Sequence, residues 1–308
     1  MSMFTRINAK LKSSIIWLKT IVWIITNRGN ESFGPNEIRY ALDFFIASKK
    51  GPMSDYHLAE KLVGELALKL WPKISPLPII RIGPKNDSGY SIAQINGLDL
   101  IVSGGAGKNI DFEMFFAETG TKVHICDPFV ESLPKSHRNI SHHFLKFESD
   151  VTKSKENITT LDEFEELINI DPSRTNLLKL DIEGSEISLL SSNNLNLDKY
   201  TQIVIEVHNM YRVTSEDFRD KLLKTFDNLL KYHHVINFNS NNNGLILSFG
   251  QNLIPEVFEL TLLHHNYFSS KSLELVKYDE LLEGYTNNPE RLANLNIFTY
   301  MYRNKLSN

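Results

Sequence analysis

Two rhythms of apolar and polar residues run along the chain. Leu58, Leu62, Leu66 and Leu70 recur at the spacing of one helical face and predict a helix over 55–70. Trp71-Pro72, Pro76 and Pro78 then break it and favour an extended lead into the first strand. From Ile79 onward, short apolar runs alternate with amphipathic stretches. Strands are expected at 79–82, 90–93, 98–102, 122–126, 142–147, 177–180, 203–207, 235–239, 244–247 and 257–263. Helices are expected at 37–48, 110–118, 158–168, with Thr159 or Thr160 as cap, and 215–231, capped by Thr214 or Ser215. This order predicts an α/β fold: a doubly wound, mostly parallel sheet, with the late turn-linked strands adding an antiparallel edge.

The stretch 176–208 organises the rest. Leu177, Leu178 and Leu180 form an apolar run that stops at Asp181, with Glu183 and Gly184 next. Ile203, Val204, Ile205 and Val207 form a second run, broken by Glu206 and ended by His208. Parallel pairing puts both sets of charges at the carboxyl edge of one sheet, where open α/β sheets bind ligands. A carboxylate there is costly unless hydrogen bonds, a metal or a substrate compensate it. Asp181, Glu183, Glu206 and His208 are therefore the candidate catalytic residues. Together they can deprotonate an alcohol, directly or through a divalent metal such as Mg²⁺ held by Asp181 and Glu206. His208 is the natural base by its ordinary pKa, with Asp181 orienting it or holding the hydroxyl. Glu183 and Glu186 suit equally well the start of the next helix.

Upstream, Ser103-Gly104-Gly105-Ala106-Gly107 lies between an expected strand and an expected helix. Glycines let the backbone approach a ligand, and a helix start offers free N–H groups. The turn lacks the dinucleotide spacing G-x-G-x-x-G, because no glycine follows Gly107 at the required place. It also lacks the Lys-Ser/Thr of a phosphate loop, because Asn109 follows Lys108. Asp127-Pro128 ends the next strand. An acid there accepts ribose hydroxyls, or serves as a turn residue before proline. Turn and acid together point to an adenosyl ligand, with Ser103, Gly104, Gly105, Gly107, Asp127 and Pro128 as its candidate contacts.

On these residues the chain resembles the FkbM-type S-adenosylmethionine-dependent methyltransferases. LKLDIEGSE is similar to that family's K-[ILM]-D-[IV]-E-G-[AS]-E signature, VSGGAGKNIDFE to its glycine motif, and VHICDP to its acidic strand end. IVIEVH, NDSGY, NSNNN and IPEVFELT resemble further family segments, so the likeness spans roughly 80–263. Lys108, Asn109 and the lack of an acid before Gly104 depart from the pattern. The resemblance implies a Rossmann-like methyltransferase fold, S-adenosylmethionine as cofactor and transfer to a hydroxyl. The acceptor it suggests is a sugar in a glycan or in a lipid- or nucleotide-linked saccharide. A competing reading is a non-catalytic module that binds a nucleotide or a protein. A nicotinamide oxidoreductase fits less well, since it needs a fuller glycine fingerprint than this turn carries.

Composition adds a few limits. The 308 residues, 42% of them hydrophobic, suffice for a full core. A net charge of −4, without a basic stripe, speaks against nucleic acid. Cys126 is the single cysteine, which excludes an internal disulfide and fits a reducing, cytoplasmic compartment. The paired histidines His142-His143, His233-His234 and His264-His265 read as structural, since strand neighbours point to opposite faces. Residues 1–30 are basic, with Trp17 and Trp23 in an apolar run too short and too charged to span a bilayer. They suit a helix lying on a membrane surface, or one packed on the domain or on a second copy in a homo-oligomer. The expected layout is that helix, a helical lead-in over 31–78, the main domain over 79–270 and a tail over 271–308.

Overall fold

The computed structural model describes residues 53–85, 88–149, 157–193, 195–241, 243–244, 246–249, 252–269 and 273–277. The helices expected at 1–30 and 37–48, and the tail beyond 277, lie outside the described residues. In chain order the elements are α1 (Met53–Lys69), β1 (Ile79–Ile82), β2 (Tyr90–Ala93), β3 (Leu100–Gly104), α2 (Asp111–Glu118), β4 (Lys122–Cys126), β5 (Ile140–His143), β6 (Lys146–Phe147) and β7 (Ile158–Thr159). They continue with α3 (Leu161–Leu167), β8 (Asn176–Leu180), α4 (Glu186–Leu190), β9 (Gln202–Val207), α5 (Glu216–Leu230), β10 (His233–Ser240), β11 (Ile246–Phe249), β12 (Asn252–Pro255) and β13 (Phe258–His264).

Seven strands form the central sheet in the order β10-β13-β9-β8-β3-β4-β5. Strand β13 runs antiparallel to both neighbours, and the other adjacent pairs are parallel. The chain winds outward from β3 to β5, then returns to lay β8 on the other side of β3. That reversal makes the β3/β8 boundary the crevice in which such sheets bind ligands.

Both faces of the sheet are covered, so β8 and β9 are buried throughout. Residues alternate between two cores. Val102, Leu178, Leu180, Ile203, Ile205 and Val207 pack with α1, α3, α4 and α5. Ile101, Val123, Ile125, Leu177 and Val204 pack with α2 and the β1–β2 hairpin. By the same alternation Lys179, Asp181 and Glu206 belong to the hairpin face. Among the described residues, no helix is long and apolar enough to cross a membrane.

The observed elements sharpen several expectations. Helix α1 buries Ala59, Leu62, Val63, Leu66 and Ala67, while Leu58 of the expected stripe is exposed. The strand expected at 142–147 divides: β5 joins the sheet, and β6 turns away to pair with β7. Helix α3 accordingly begins at Leu161, after a capping box in which Thr160 and Glu163 satisfy each other's backbone N–H groups. Ser215 stands at the start of α5 but makes no side-chain cap. The run expected at 244–247 is β11, which pairs with β12, a strand not foreseen.

The β1–β2 hairpin is clamped to the sheet by side chains. Gln202 accepts from the Ala93 amide at 2.7 Å and donates to the Ala93 carbonyl at 3.3 Å. Thr261 donates to the Ser91 carbonyl. Exchanging Gln202 for Leu strands the buried Ala93 amide and is expected to cost about 2 kcal/mol in urea unfolding.

At the far edge His124 Nδ1 lies 3.1 Å from His143 Nε2, with the rings stacked beside Phe164. Burial first, then His143 and Lys122, push His124 from 6.5 down to about 4. The unfolded chain therefore binds the extra proton between those values. The folded state loses stability as pH falls from 6.5 toward 4, and this term is silent above that window. Unfolding midpoints measured across the window should show a shallower acid slope for His124→Gln than for the parent.

Candidate active site

The glycine turn is built by close approach of backbones. Gly105 has φ 75°, and a Cβ there would sit 1.8 Å from the Asp181 carbonyl oxygen. Its amide donates to the Cys126 carbonyl at 2.9 Å, while the Asp181 amide donates to the Gly104 carbonyl at 2.9 Å. The ends of β4, β3 and β8 are thus stitched side by side. Lys179, buried on β8, donates its ammonium to the Gly105 carbonyl and lies 3.5 Å from Glu113. Gly107, at φ 57°, has nothing within 4 Å of where a side chain would project, which leaves the turn's outer surface open.

Not every expected cofactor contact faces that opening. Ser103 is wholly buried and donates to Glu113 at 2.6 Å, so it holds the turn from beneath. Gly104 is packed under Leu180, Ile182 and Phe147, where a Cβ would approach them within 3.1 Å. Asp127 is buried, and its carboxylate clamps the turn. Oδ2 accepts from the Ala106 and Gly107 amides at 3.0 Å each, and Oδ1 from Phe129 at 2.8 Å. Burial opposes its charge, but backbone donors from Phe129, Gly107, Ala106 and Val130 outweigh it and hold the carboxyl below its usual range. Pro128 is half-buried beside it. Gly105, Gly107, Asp127 and Pro128 therefore surround the opening, while Ser103 and Gly104 shape it from within. The open turn, its positive-φ glycines and the adjacent strand-end carboxylate fit an adenosyl group.

One step beyond β8 and β9 the polar cluster assembles. Asp181 follows the Leu180–Ile205 pair, and Glu206 pairs with Glu259 on β13, which itself pairs with Asn239 on β10. His208 leaves the end of β9. One ligand atom each from Asp181, Glu206 and His208 lies within 4.8 Å of the others. Tyr90, from the hairpin, donates to Asp181 Oδ2 at 2.6 Å. Asn241 donates to Glu206 Oε1. His208 Nδ1 meets Glu186 Oε1 at 3.0 Å, and Nε2 stands 3.9 Å from Asp181 Oδ1.

The two outer acids take different places. Glu183, at φ 55°, carries a side chain 85% exposed, 3.8 Å from His208 Nε2, at the rim. Glu186 is fully buried, and the same oxygen that meets His208 also accepts from the Ile182 and Gly184 amides. The expected helix-starting acid is thus also the inner partner of His208.

Burial disfavours an imidazolium at His208, but the hydrogen bond and charge of Glu186, with the charges of Glu206 and Asp181, push it up to about 10. Burial, then Asp181, drives Glu206 well above the carboxylate range. Tyr90 is likewise raised by burial and Asp181. With protons as the only cations, His208 is already charged at neutral pH. It is not the free base its ordinary pKa suggests, and Asp181 is the open acceptor.

Tyr90, Asn241 and Lys179 do not stand out in the sequence as site residues, and Glu186 stands out only as a helix start. Tyr90 opens the expected strand 90–93 just past the Gly89 turn, and Asn241 sits inside an asparagine run that reads as a loop. Only the sheet order brings them to this edge.

The chain matches the methyltransferase FkbM domain over residues 76–238. It belongs to that family. No curated protein and no solved structure matches the chain. The match covers the glycine turn, Asp127 and the polar cluster through His208, while Asn241 and Glu259 lie beyond it. FkbM domains are methyltransferases, with S-adenosylmethionine as their usual cofactor.

If the turn is the cofactor platform of this FkbM domain, Gly105→Ala should be the most damaging small change in it. It forces both a strained φ and a backbone collision. Calorimetry should show no S-adenosylhomocysteine binding at concentrations that saturate the parent, together with a lowered melting temperature.

Proposed function

We propose that this FkbM domain is an O-methyltransferase acting on a hydroxyl of a sugar, in a glycan or in a lipid- or nucleotide-linked saccharide. One observation carries the reading: the open glycine turn and the Asp181 cluster share one crevice, joined by the contact of Gly105 with Asp181. S-adenosylmethionine, when bound, supplies an electrophilic methyl group on a positively charged sulfur. Gly105 and Gly107 would lie along it, with Asp127 beside its ribose.

The chain's own groups then have two tasks. The first is positioning: a hydroxyl held in line with the methyl gains most of the attainable rate from orientation. Asp181, fixed by Tyr90, is the natural hydrogen-bond acceptor for that hydroxyl. The second is proton removal. As the acceptor oxygen gains its methyl, its proton passes to Asp181 Oδ1, beside the His208 ring. A saccharide is the acceptor that the resemblance of LKLDIEGSE and its companion segments to this family implies. A saccharide carried at a membrane would also give the basic, Trp-bearing residues 1–30 a purpose, holding the enzyme at that surface.

The test is methyl transfer from labelled S-adenosylmethionine to a panel of saccharide acceptors. Asp181→Asn keeps the side chain's size and its contact with Tyr90 while removing the base. It should lower kcat by about 100- to 10,000-fold and leave S-adenosylhomocysteine affinity within about twofold. Unchanged turnover in that variant would overturn the role of Asp181. Cofactor binding with no transfer to any acceptor would favour the non-catalytic binding module.

A further inference from the structure

We propose that Asp181, Glu206 and His208 bind one divalent first-row cation such as Mn²⁺ or Fe²⁺, in preference to Mg²⁺. The purpose of such a cation rests on the hydroxyl transfer proposed above; its binding does not.

The geometry points to a metal because each of the three side chains is anchored by a neighbour while one of its ligand atoms lies near those of the other two. Asp181 Oδ2 takes the Tyr90 hydroxyl, and Oδ1 is the oxygen nearer His208. Glu206 is held at Oε1 by the Asn241 amide. His208 Nδ1 is turned to the Glu186 carboxylate, which directs Nε2 inward. A carboxylate behind the outer nitrogen of a histidine is the usual support of a metal-bound imidazole, because it fixes the ring and raises its basicity. His208 Nε2 and Asp181 Oδ1 stand 3.9 Å apart, too far for a hydrogen bond. All three can be reached from one point, since their ligand atoms lie within 4.8 Å of one another.

The surroundings leave a role for a dication. Glu206 is 4% exposed and faces Asp181, with Glu259 paired beside it. The nearby permanent cations are directed elsewhere, Lys179 to Gly105 and Glu113, and Arg81 to Pro84 and Glu259. One imidazole with two carboxylates is a mixed nitrogen and oxygen set. Imidazole suits Fe²⁺, and Mn²⁺ accepts an oxygen-rich set with one nitrogen, whereas Mg²⁺ demands near-ideal octahedral geometry and keeps carboxylate and water ligands, so His208 tips the site toward the first-row ions. Open positions would be left for water or for the acceptor hydroxyl; a cation held on Asp181 would take over from its free oxygen the loosening of that proton, by polarising the hydroxyl oxygen, and the proton would pass to water.

The experiment uses the full chain, stripped with chelator and titrated with MnCl₂ alone. Calorimetry gives the affinity, and the electron paramagnetic resonance signal of free Mn²⁺ gives the stoichiometry. The expected result is one Mn²⁺ per chain, bound at least tenfold more tightly than Mg²⁺. Asp181→Asn and His208→Gln should each lose binding by at least tenfold. Glu186→Gln, which removes the carboxylate behind His208, should weaken it by about 10- to 100-fold. Circular dichroism confirms that each variant is folded, and the near-isosteric Asp181→Asn decides if His208→Gln is not. No Mn²⁺ uptake, uptake unchanged in folded Asp181→Asn, or equal affinity for Mg²⁺ would overturn the proposal. S-adenosylhomocysteine titrated into the same metal-free samples separates the two readings. Its binding without Mn²⁺ uptake removes only the metal, and Mn²⁺ uptake without its binding removes only the transferase.

Discussion

The backbone of Gly105 passes so close to the carbonyl of Asp181 that no side chain fits between them, and the site depends on that contact. It forces the glycine turn after β3 against the end of β8, across the boundary where the winding of the sheet reverses. The amide of Asp181 and the amide of Gly105 each satisfy a neighbouring strand end, so this approach costs no buried polar group. Any ligand over the turn is then within reach of Asp181, and through Asp181 of Glu206 and His208. Fold and chemistry are joined at one van der Waals contact.

Beneath it lies a buried ionic network. Lys179 reaches the Gly105 carbonyl and Glu113, Glu113 receives Ser103, and the Lys179 ammonium stands 5.1 Å from the Tyr90 ring. Such a pair is poor evidence for stability, because desolvation offsets much of its attraction. Its effect here is directional. One lysine fixes the far side of the turn from a strand that also carries Asp181, while its charge holds the ring that donates to Asp181. A lysine in the middle of an otherwise apolar strand makes sense as a strut between the two halves of the crevice.

Much of this was readable in the chain. Continuous apolar runs ended by charge gave β8 and β9 with the right edge, because a strand buried on both faces leaves no other place for Asp181 and His208. The glycines of the turn were equally plain. The errors have one physical source: contacts distant in sequence. Ser103 looks like part of the turn, yet Glu113 draws it inward from the following helix. Asp127 reads as a ribose acceptor, and the structure adds that its carboxylate first closes the turn through Ala106 and Gly107. Residues 142–147 look like one strand, but β6 leaves to meet β7. Tyr90 and Asn241 reach the site from opposite ends of the domain; they lie in the family-like segments NDSGY and NSNNN, but only the sheet order shows that they meet Asp181 and Glu206.

The cluster's charge also explains why its histidine is unusual. An imidazole drawn from water with no acid beside it gives up its proton; half-buried His124 and fully buried His233 are pushed down to about 4 in this way. His208 is half-buried but moves in the opposite direction, because the carboxylates of Glu186, Glu206 and Asp181 face it. An edge built this way demands positive charge. A sulfonium approaching over Gly105 would enter a field already negative, and an acceptor alcohol would meet a carboxylate held ready by Tyr90. A negative field holds a hydroxyl's proton more tightly, as burial and Asp181 do for Tyr90, so the acceptor's proton would leave only to a carboxylate placed beside it. One arrangement of acids can therefore serve both binding and chemistry.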